Sequence, residues 1–544
     1  MPVNENEFDY IVVGAGSAGC VLADRLSRDP ANSVLLIEAG GRDKDPMIRV
    51  PKGFAKTLVK PDYVWAFPTK PFGPNGRVEI WARGKTLGGS SAVNGMVYNR
   101  GTQPDWDSIA ALGNPGWGWS DIVEAYKHIE NNELGATSSR GTGGPVTISS
   151  DTARSDPLCE EFIDSAGALG MKRVDDYNES DDERVGYTMA NIKHGQRVSA
   201  AHAFLHPAEK RKNLTVAIHS VATRILFDGH RANGVQVRRD GQVVQYLANR
   251  EVILCLGSIQ TPKLLQLSGI GPADVLSGAG VAVRLESPNV GARMREHRCF
   301  VNQYRLRDNL GYNPRLGTKG RQTLEGLKYL ATKRGPLSLP CFDVIGFFKT
   351  DPELDRPDAQ MLMSPFSVGE QVPGVGVSLE QLPGIQTIGF ILRPDSEGTV
   401  NITSGEADAP PEVTTSYYET EHDRRVGPAL LRKIREVFTQ QPIAGRLVNE
   451  TTPGVAIDSD EAILDYAIEH GWCAYHAIGT CAMGPDPEDV VDSELRVRGV
   501  ENLRVMDASV LPVMVSGNLN GPMMAMAWRL SDMILGSAKV GAAR

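Results

Sequence analysis

Along the chain, unbroken apolar runs alternate with stretches whose apolar positions recur at helical spacing, and the first alternation is the sharpest. Tyr10–Val13 predicts a buried strand, a helix-forming segment follows, and Val34–Ile37 predicts a second strand ending in an acid, Glu38. Between the first strand and the helix stands Gly14-x-Gly16-x-x-Gly19. This order is that of a βαβ dinucleotide-binding unit. Gly14 permits the tight turn, Gly16 lets backbone approach a pyrophosphate, and Gly19 lets the helix pack on the strand. The pyrophosphate would sit at the helix start, and Glu38, 19 residues after Gly19, would accept from ribose hydroxyls.

Further on, Val64–Phe67 predicts a short strand, and Ile122, Ala125, Tyr126 and Ile129 predict a helix with Ser120 as N-cap. From about Gly135 to Arg184 the chain turns polar and leaves the first domain. Leu214–Ile218, Ala222–Phe227, Gly234–Arg238 and Val243–Ala248 read as short strands with turns at Asp228-Gly229 and Asp240-Gly241. Glu251–Leu256 reads as a strand buried in a parallel sheet, followed by Gly257–Pro262 and then a helix ending at Ser268-Gly269. From about Phe300 to Leu464 strands and turns alternate. Phe390–Arg393 and Thr399–Thr403 predict a hairpin, and Asp423–Gln440 a long amphipathic helix. The chain then returns to glycine-rich loops, a strand at Leu503–Met506 and an apolar helix.

At 544 residues the chain exceeds one core: its length suits roughly three or four domain-sized units, two large interleaved domains would also fit, and 41% apolar residues supply a sizeable core. A net charge of −9 disfavours nucleic acid or an anionic membrane as main partner. No secretory signal and no apolar run of membrane-spanning length is read, and the seven cysteines form no CxxC pair. These features predict a reducing compartment, the cytoplasm.

Candidate chemistry lies in two places. Arg83–Met96 is a second glycine-rich stretch suited to close approach of a planar or anionic ligand. Near the carboxyl end, Tyr475–Gly484 sets one histidine, His476, in a small apolar loop, and Ser516–Pro522 leads into a helix whose start holds Asn520 and Gly521. A neutral histidine is the natural acceptor for an alcohol proton near neutral pH, and a helix start stabilises negative charge. His202 and His206 stand at i and i+4, but no carboxylate or thiol lies at a partnering offset, so no metal is expected there. Cys481 lies five residues from His476 without a sign of contact, and Met506, Met514, Met523, Met524 and Met526 read as core or pocket lining.

Taken together, the chain resembles the glucose–methanol–choline (GMC) oxidoreductases over nearly its full length. Gly84–Asn94 with Tyr98, Gly101 and Asp107 is similar to the first family signature, and Gly257-Ser258-x-x-Thr261-Pro262-x-Leu264-Leu265-x-x-Ser268-Gly269-Ile270-Gly271 to the second. Arg393–Val400, His476–Gly484 and Ser516–Pro522 resemble further blocks, while Asn289-Val290-Gly291-Ala292-Arg293-Met294-Arg295-Glu296-His297 departs from the usual Asn-Val-Gly-Glu-Asn-Leu-x-Asp-His. The resemblance implies an α/β fold: a discontinuous Rossmann-like FAD-binding domain (1–150, 190–299, 465–544) plus an α+β substrate domain on an antiparallel sheet (151–189, 300–464).

It also implies the site. His476 is similar to the family base and Asn520 to the second active-site position, so that His476 takes the alcohol proton while hydride passes from carbon to flavin N5. Around FAD it places Gly14, Gly16, Ser17, Ala18, Gly19, Glu38 and Ala39; then Trp65, Arg83, Gly84, Gly88, Gly89 and Ser91. Asn94, Gly95, Met96 and Val97 would line the ring, Ala222 the adenine, and Asp507 and Ala508 the ribityl–pyrophosphate region, with Asn520 and Met523 beside them. Val93 stands where some members attach FAD through histidine, which implies non-covalent FAD. The implied activity is oxidation of a primary, aromatic or apolar alcohol, with O2 or a dye- or quinone-like acceptor and a possible homo-oligomer. A hydroxynitrile lyase on the same scaffold is the alternative.

Overall fold

The computed structural model describes residues 6–150, 156–369 and 378–542. Its first sheet has seven strands drawn from three distant stretches of chain. Leu214–Ala217, Val34–Ile37, Glu7–Val13, Gln242–Leu254 and Leu503–Val505 run parallel, and Arg231–Arg239 and Ser220–Asp228 continue the sheet antiparallel. The core strands read as solid apolar runs because both faces are covered: Val34–Ile37 is buried throughout. The helix Ser17–Leu26 packs on one face together with the long helix Asn520–Ala542.

Gln242–Leu254 merges two strands expected separately, Val243–Ala248 and Glu251–Leu256. Its first half pairs with Arg231–Arg239 and its second with Glu7–Val13. Asn249 and Arg250, whose polarity suggests a break, form a bulge in this long strand instead: both stand opposite Asp9 alone, between the Phe8–Ala248 and Tyr10–Glu251 pairs. The Asp240-Gly241 turn has positive φ at both residues, +51° and +77°, as a type I′ hairpin requires.

The second sheet has eight strands. Along it lie Leu447–Thr452, Arg298–Leu306, Gly384–Ile391, Ala359–Ser364, Val344–Phe348, Arg184–Tyr187 and Lys172–Arg173, with Trp472–Cys473 joined to Arg298–Leu306. Except at the edge pair Lys172–Arg173 with Arg184–Tyr187, pairing is antiparallel. The helix Glu421–Thr439 covers one face, so closely that a Cβ at Gly389 would stand 2.6 Å from Ile434 Cδ1. The opposite face looks toward the first sheet.

Three local expectations are corrected. Phe390–Arg393 and Thr399–Thr403 do not form a hairpin: Gly384–Ile391 already has a neighbour on each edge, so Thr399–Asn401 pairs instead with Glu412–Thr414. Ser120 is not an N-cap, since the helix Trp119–Ile129 begins one residue earlier, after Gly118. The helix expected after Pro262 starts at Gly257. Proline is tolerated there because the Ser258 carbonyl, which a residue 262 N–H would otherwise engage, accepts from Thr480 Oγ1 at 2.8 Å.

The fold is thus α/β, a Rossmann-like sheet beside an antiparallel α+β sheet. Of the expected boundaries, 150/151 touches residues outside the described ones, and the helix Asp460–His470 spans 464/465. Among the described residues no helix is long and apolar enough to cross a membrane.

Candidate active site

A cavity of about 2220 Å³ runs between the two sheets. Ordinary ligand pockets reach roughly 300–1,000 Å³, so there is room for a dinucleotide and a substrate end to end. All but two of the residues expected around the cofactor line it; Gly19 and Gly88 do not. Gly19 instead lets the helix seat on the turn, for a Cβ there would meet Gly14 O at 1.9 Å. Gly88 forms a left-handed corner at φ +91°.

At one end the wall is backbone. Gly14 has φ +105°, and a Cβ on it would lie 2.5 Å from Cys255 O. A Cβ on Gly89 would lie 2.7 Å from Gly16 Cα, so the two glycine loops press together at the start of the helix Ser17–Leu26. Glu38 Oε2 accepts from Ala15 N at 3.0 Å and Oε1 from Gly40 N at 2.8 Å, which aims the carboxyl along the wall, and burial pushes its pKa up to about 7. These features form a cradle fitted to the ribose and diphosphate of a dinucleotide.

Midway, side chains expected to face a ligand are partly engaged by the protein. Asn94 Oδ1 accepts from Arg197 Nη1 at 2.7 Å and from Met96 N at 3.1 Å. Arg197 is wholly buried, bonded otherwise to the Ile48 and Ser91 carbonyls, and burial lowers its pKa to about 9. Ser91 Oγ donates to Gly88 O and accepts from Ala200 N. Asp507 accepts from Gly257 N, Thr261 Oγ1 and Ser509 N, so its carboxylate fastens the start of the helix Gly257–Leu267. Ala39, Trp65, Arg83, Gly84, Gly95, Val97, Ala222, Ala508 and Met523 contribute wall. Met514 is core and does not line the cavity; the second sheet contributes apolar wall through Leu362, Ile388, Phe390 and Trp472, with Phe390 beside His476.

The far end is built from side chains. His476 Nδ1 lies 2.9 Å from His297 Nδ1, and His297 Nε2 lies 3.0 Å from the Leu392 carbonyl. A carbonyl only accepts, so His297 carries its proton on Nε2. Burial lowers the His297 pKa to about 4, and the neutral ring has only a lone pair at Nδ1. The shared proton therefore belongs to His476 Nδ1, and His476 Nε2 is a free base. Asn518 agrees: its Oδ1 accepts from Asn99 Nδ2 at 2.9 Å, leaving Nδ2 to donate to His476 Nε2 at 3.1 Å. Burial, then the neighbouring His297 and Arg83, hold the His476 pKa well below the usual imidazole value.

Three anchors fix this ring. Glu296 Oε1 accepts from the His476 and His297 backbone N–H groups at 2.7 and 2.9 Å. Ser258 Oγ donates to Ala477 O, and the Thr480 hydroxyl donates to Ser258 O, tying the loop to the second signature helix. Tyr475, immediately before His476, sits at φ +65°, a left-handed conformation that the anchors must hold.

The partner of His476 is thus Asn518, not Asn520. Asn520 Oδ1 accepts from Ser17 Oγ at 2.7 Å and its Nδ2 donates to Asn191 Oδ1 at 3.1 Å, joining the start of the helix Asn520–Ala542 to the first glycine loop. Both asparagines lie in Ser516–Pro522, and the two-residue offset decides which one faces the histidine. His297, also missed, stands in a motif read only for its departures. Cys481 makes no pair with His476: its backbone N–H bonds Ser509 O and burial drives its thiol pKa far up.

Comparison with known proteins places this architecture. Residues 8–299 and 394–527 match the N- and C-terminal family models described as GMC oxidoreductase. The chain is 36% identical over 536 residues to an oxygen-dependent choline dehydrogenase of Photobacterium profundum, covering 97% of this chain and 93% of that protein. It is 36% identical over 538 residues to an alcohol dehydrogenase [acceptor] of Pseudomonas putida, covering 97% and 96%. The crystal structure of pyridoxine 4-oxidase from Mesorbium loti superposes with a TM-score of 0.87 at 30% identity, covering 97% and 99%.

Proposed function

The chain belongs to the GMC oxidoreductase family, and we propose that it oxidises a primary alcohol with an aromatic or apolar body to the aldehyde, with His476 as base. At the level of class it is an FAD-dependent oxidoreductase acting on CH–OH groups. Bound FAD supplies the two-electron acceptor for such an oxidation. Gly14, Gly16, Gly89 and Glu38 would hold its nucleotide half, and Asn94–Val97 would border its ring. With Val93 at the position of covalent attachment, the cofactor is held without a bond.

The observation that carries the reading is the proton order along Leu392, His297 and His476. It leaves a lone pair on His476 Nε2 at the cavity wall, where an alcohol hydroxyl would replace Asn518 Nδ2 as hydrogen-bond donor. His476 takes that proton, and Asn518 Nδ2, released, steadies the developing alkoxide oxygen. Because both rings are held neutral, the acid limb of kcat/KM falls below pH 6.5, the ordinary histidine value.

The shape of the wall supports the substrate class. On Gly384–Ile391, alternate residues Gln386, Ile388 and Phe390 face the cavity, with Phe390 5.8 Å from the His476 ring. Leu362 on the neighbouring strand is paired with Ile388. Glu79, on the same wall as Trp472, is bound to Arg298 at 2.7 Å, so its charge is taken up by a guanidinium.

Anaerobic mixing with benzylic, aliphatic and amino alcohols tests the reading. The flavin spectrum should bleach first with benzylic or apolar alcohols, and oxygen then admitted identifies the acceptor. An unreduced flavin that nonetheless releases aldehyde from cyanohydrins would replace oxidation by lyase chemistry. His476→Ala should keep FAD while losing roughly 10²–10⁴ in reduction rate; near-wild-type reduction removes the base. Acid precipitation should leave a colourless pellet.

A further inference from the structure

Ala200, whose N–H braces the second glycine loop through Ser91 Oγ, leads into a π-helical turn, Ala201–Leu205, and the short helix His206–Ala208. There His202 and His206 lie with ring centroids 4.8 Å apart, and both address one buried carboxylate, Asp43, from the loop after Glu38. His206 Nε2 is 3.0 and 3.1 Å from the two Asp43 oxygens, and His202 Nδ1 is 3.2 Å from Oδ2. The acid that sequence spacing did not supply comes from 163 residues away.

The surroundings go beyond a proton shared between a histidine and an acid. His206 Nδ1, the nitrogen turned away from Asp43, meets Glu209 Oε2 at 3.0 Å, and Glu209 is held by Arg42 at 2.8 Å. A metal-bound imidazole gives its other N–H to a carboxylate in the same way, which fixes the tautomer and sharpens the donor. His202 and His206 remain part-exposed, at 27% and 29%, so an ion has a path in. One ligand atom from each residue lies within 4.8 Å of the others. A tetrahedral site with bonds of about 2.0–2.1 Å needs ligand atoms roughly 3.4 Å apart, which a small turn of the histidine rings supplies.

We propose that Asp43, His202 and His206 form a binding site for a borderline divalent cation of the Zn2+ type, separate from the alcohol site. Two imidazoles and a carboxylate favour such an ion over Mg2+ or Ca2+, and solvent fills the fourth position. The ion would clamp the loop of Asp43 to the segment 199–209. That loop also meets the second glycine stretch, where Thr86 Oγ1 donates to Gly41 O at 2.9 Å, so the clamp would tighten the nucleotide end of the cavity.

Tag-free, EDTA-treated holoenzyme titrated with ZnCl2 by calorimetry should bind one equivalent per chain, and CoCl2 should give the visible band of a four-coordinate site. Zn2+ should raise the melting temperature and slow FAD release. His206→Ala and His202→Gln should abolish both effects while keeping wild-type flavin content in the absence of metal. Glu209→Gln, which alters the support of His206 Nδ1 and leaves all three ligands in place, should weaken binding roughly tenfold or more. Equal titrations in wild type and both histidine variants, or no saturable binding below millimolar Zn2+, overturn the site.

Discussion

The two ends of the cavity are made of different material. At the nucleotide end the wall is mostly main chain, shaped by the glycines of two loops pressed together, with the Glu38 carboxyl set along it. At the alcohol end the contacts are side chain, and His297 and His476 meet across 179 residues of sequence. A site made of backbone fails when an atom is added; one made of a proton relay fails when an atom is removed.

The sharpest way to break this contrast is Gly14→Val. Its side chain would enter a left-handed position already 2.5 Å from Cys255 O, so the protein should purify without flavin, read as absorbance per chain. Ser17→Ala, at the same end, should retain it. At the other end, His297→Ala removes the acceptor that fixes the His476 tautomer. Flavin reduction should slow roughly 10–100-fold with FAD content unchanged, and the acid limb of the pH profile should move. Asn518→Ala should cost about tenfold in reduction rate, more than Asn520→Ala; the reverse ranking would return the partner role to Asn520.

The smallest effect concerns Glu296. Burial raises its pKa to about 7 from 4.5, so its contribution to stability is full below pH 4.5 and is lost as pH rises through 7. His297 acts oppositely: its depressed pKa gives stability that is present above pH 6.5 and lost as pH falls toward 4. Melting temperatures of Glu296→Gln relative to wild type should therefore improve steadily between pH 4.5 and 7. A constant offset would mean that Glu296 is ionised throughout.

The same contrast explains what could be read from the sequence. Gly14, Gly16, Gly19 and Glu38 are legible because the requirement for glycine is local and the spacing is set by one βαβ turn. The strand Val34–Ile37 and the Tyr10–Val13 half of its neighbour announce themselves as apolar runs. His476 stands out as a polar residue in an apolar loop, and family resemblance gave it a role. Which asparagine meets it depends on the path of Ser516–Pro522, where Gly517 at φ +96° would clash with Asn99 if it carried a Cβ, and no period in the sequence reports that path. Asp43 and His206 likewise meet only after folding.

The assembly of the first sheet has a consequence in time. Gln242–Leu254 needs Glu7–Val13 on one side and Leu503–Val505 on the other, so the strand layer beneath the nucleotide cradle stays incomplete until nearly the whole chain has been made. At roughly 5–20 residues per second, some 25–100 s separate the synthesis of its first and last strands. During that interval the early strands expose an apolar edge on the ribosome, and flavin capture belongs to the finished chain rather than to the growing one.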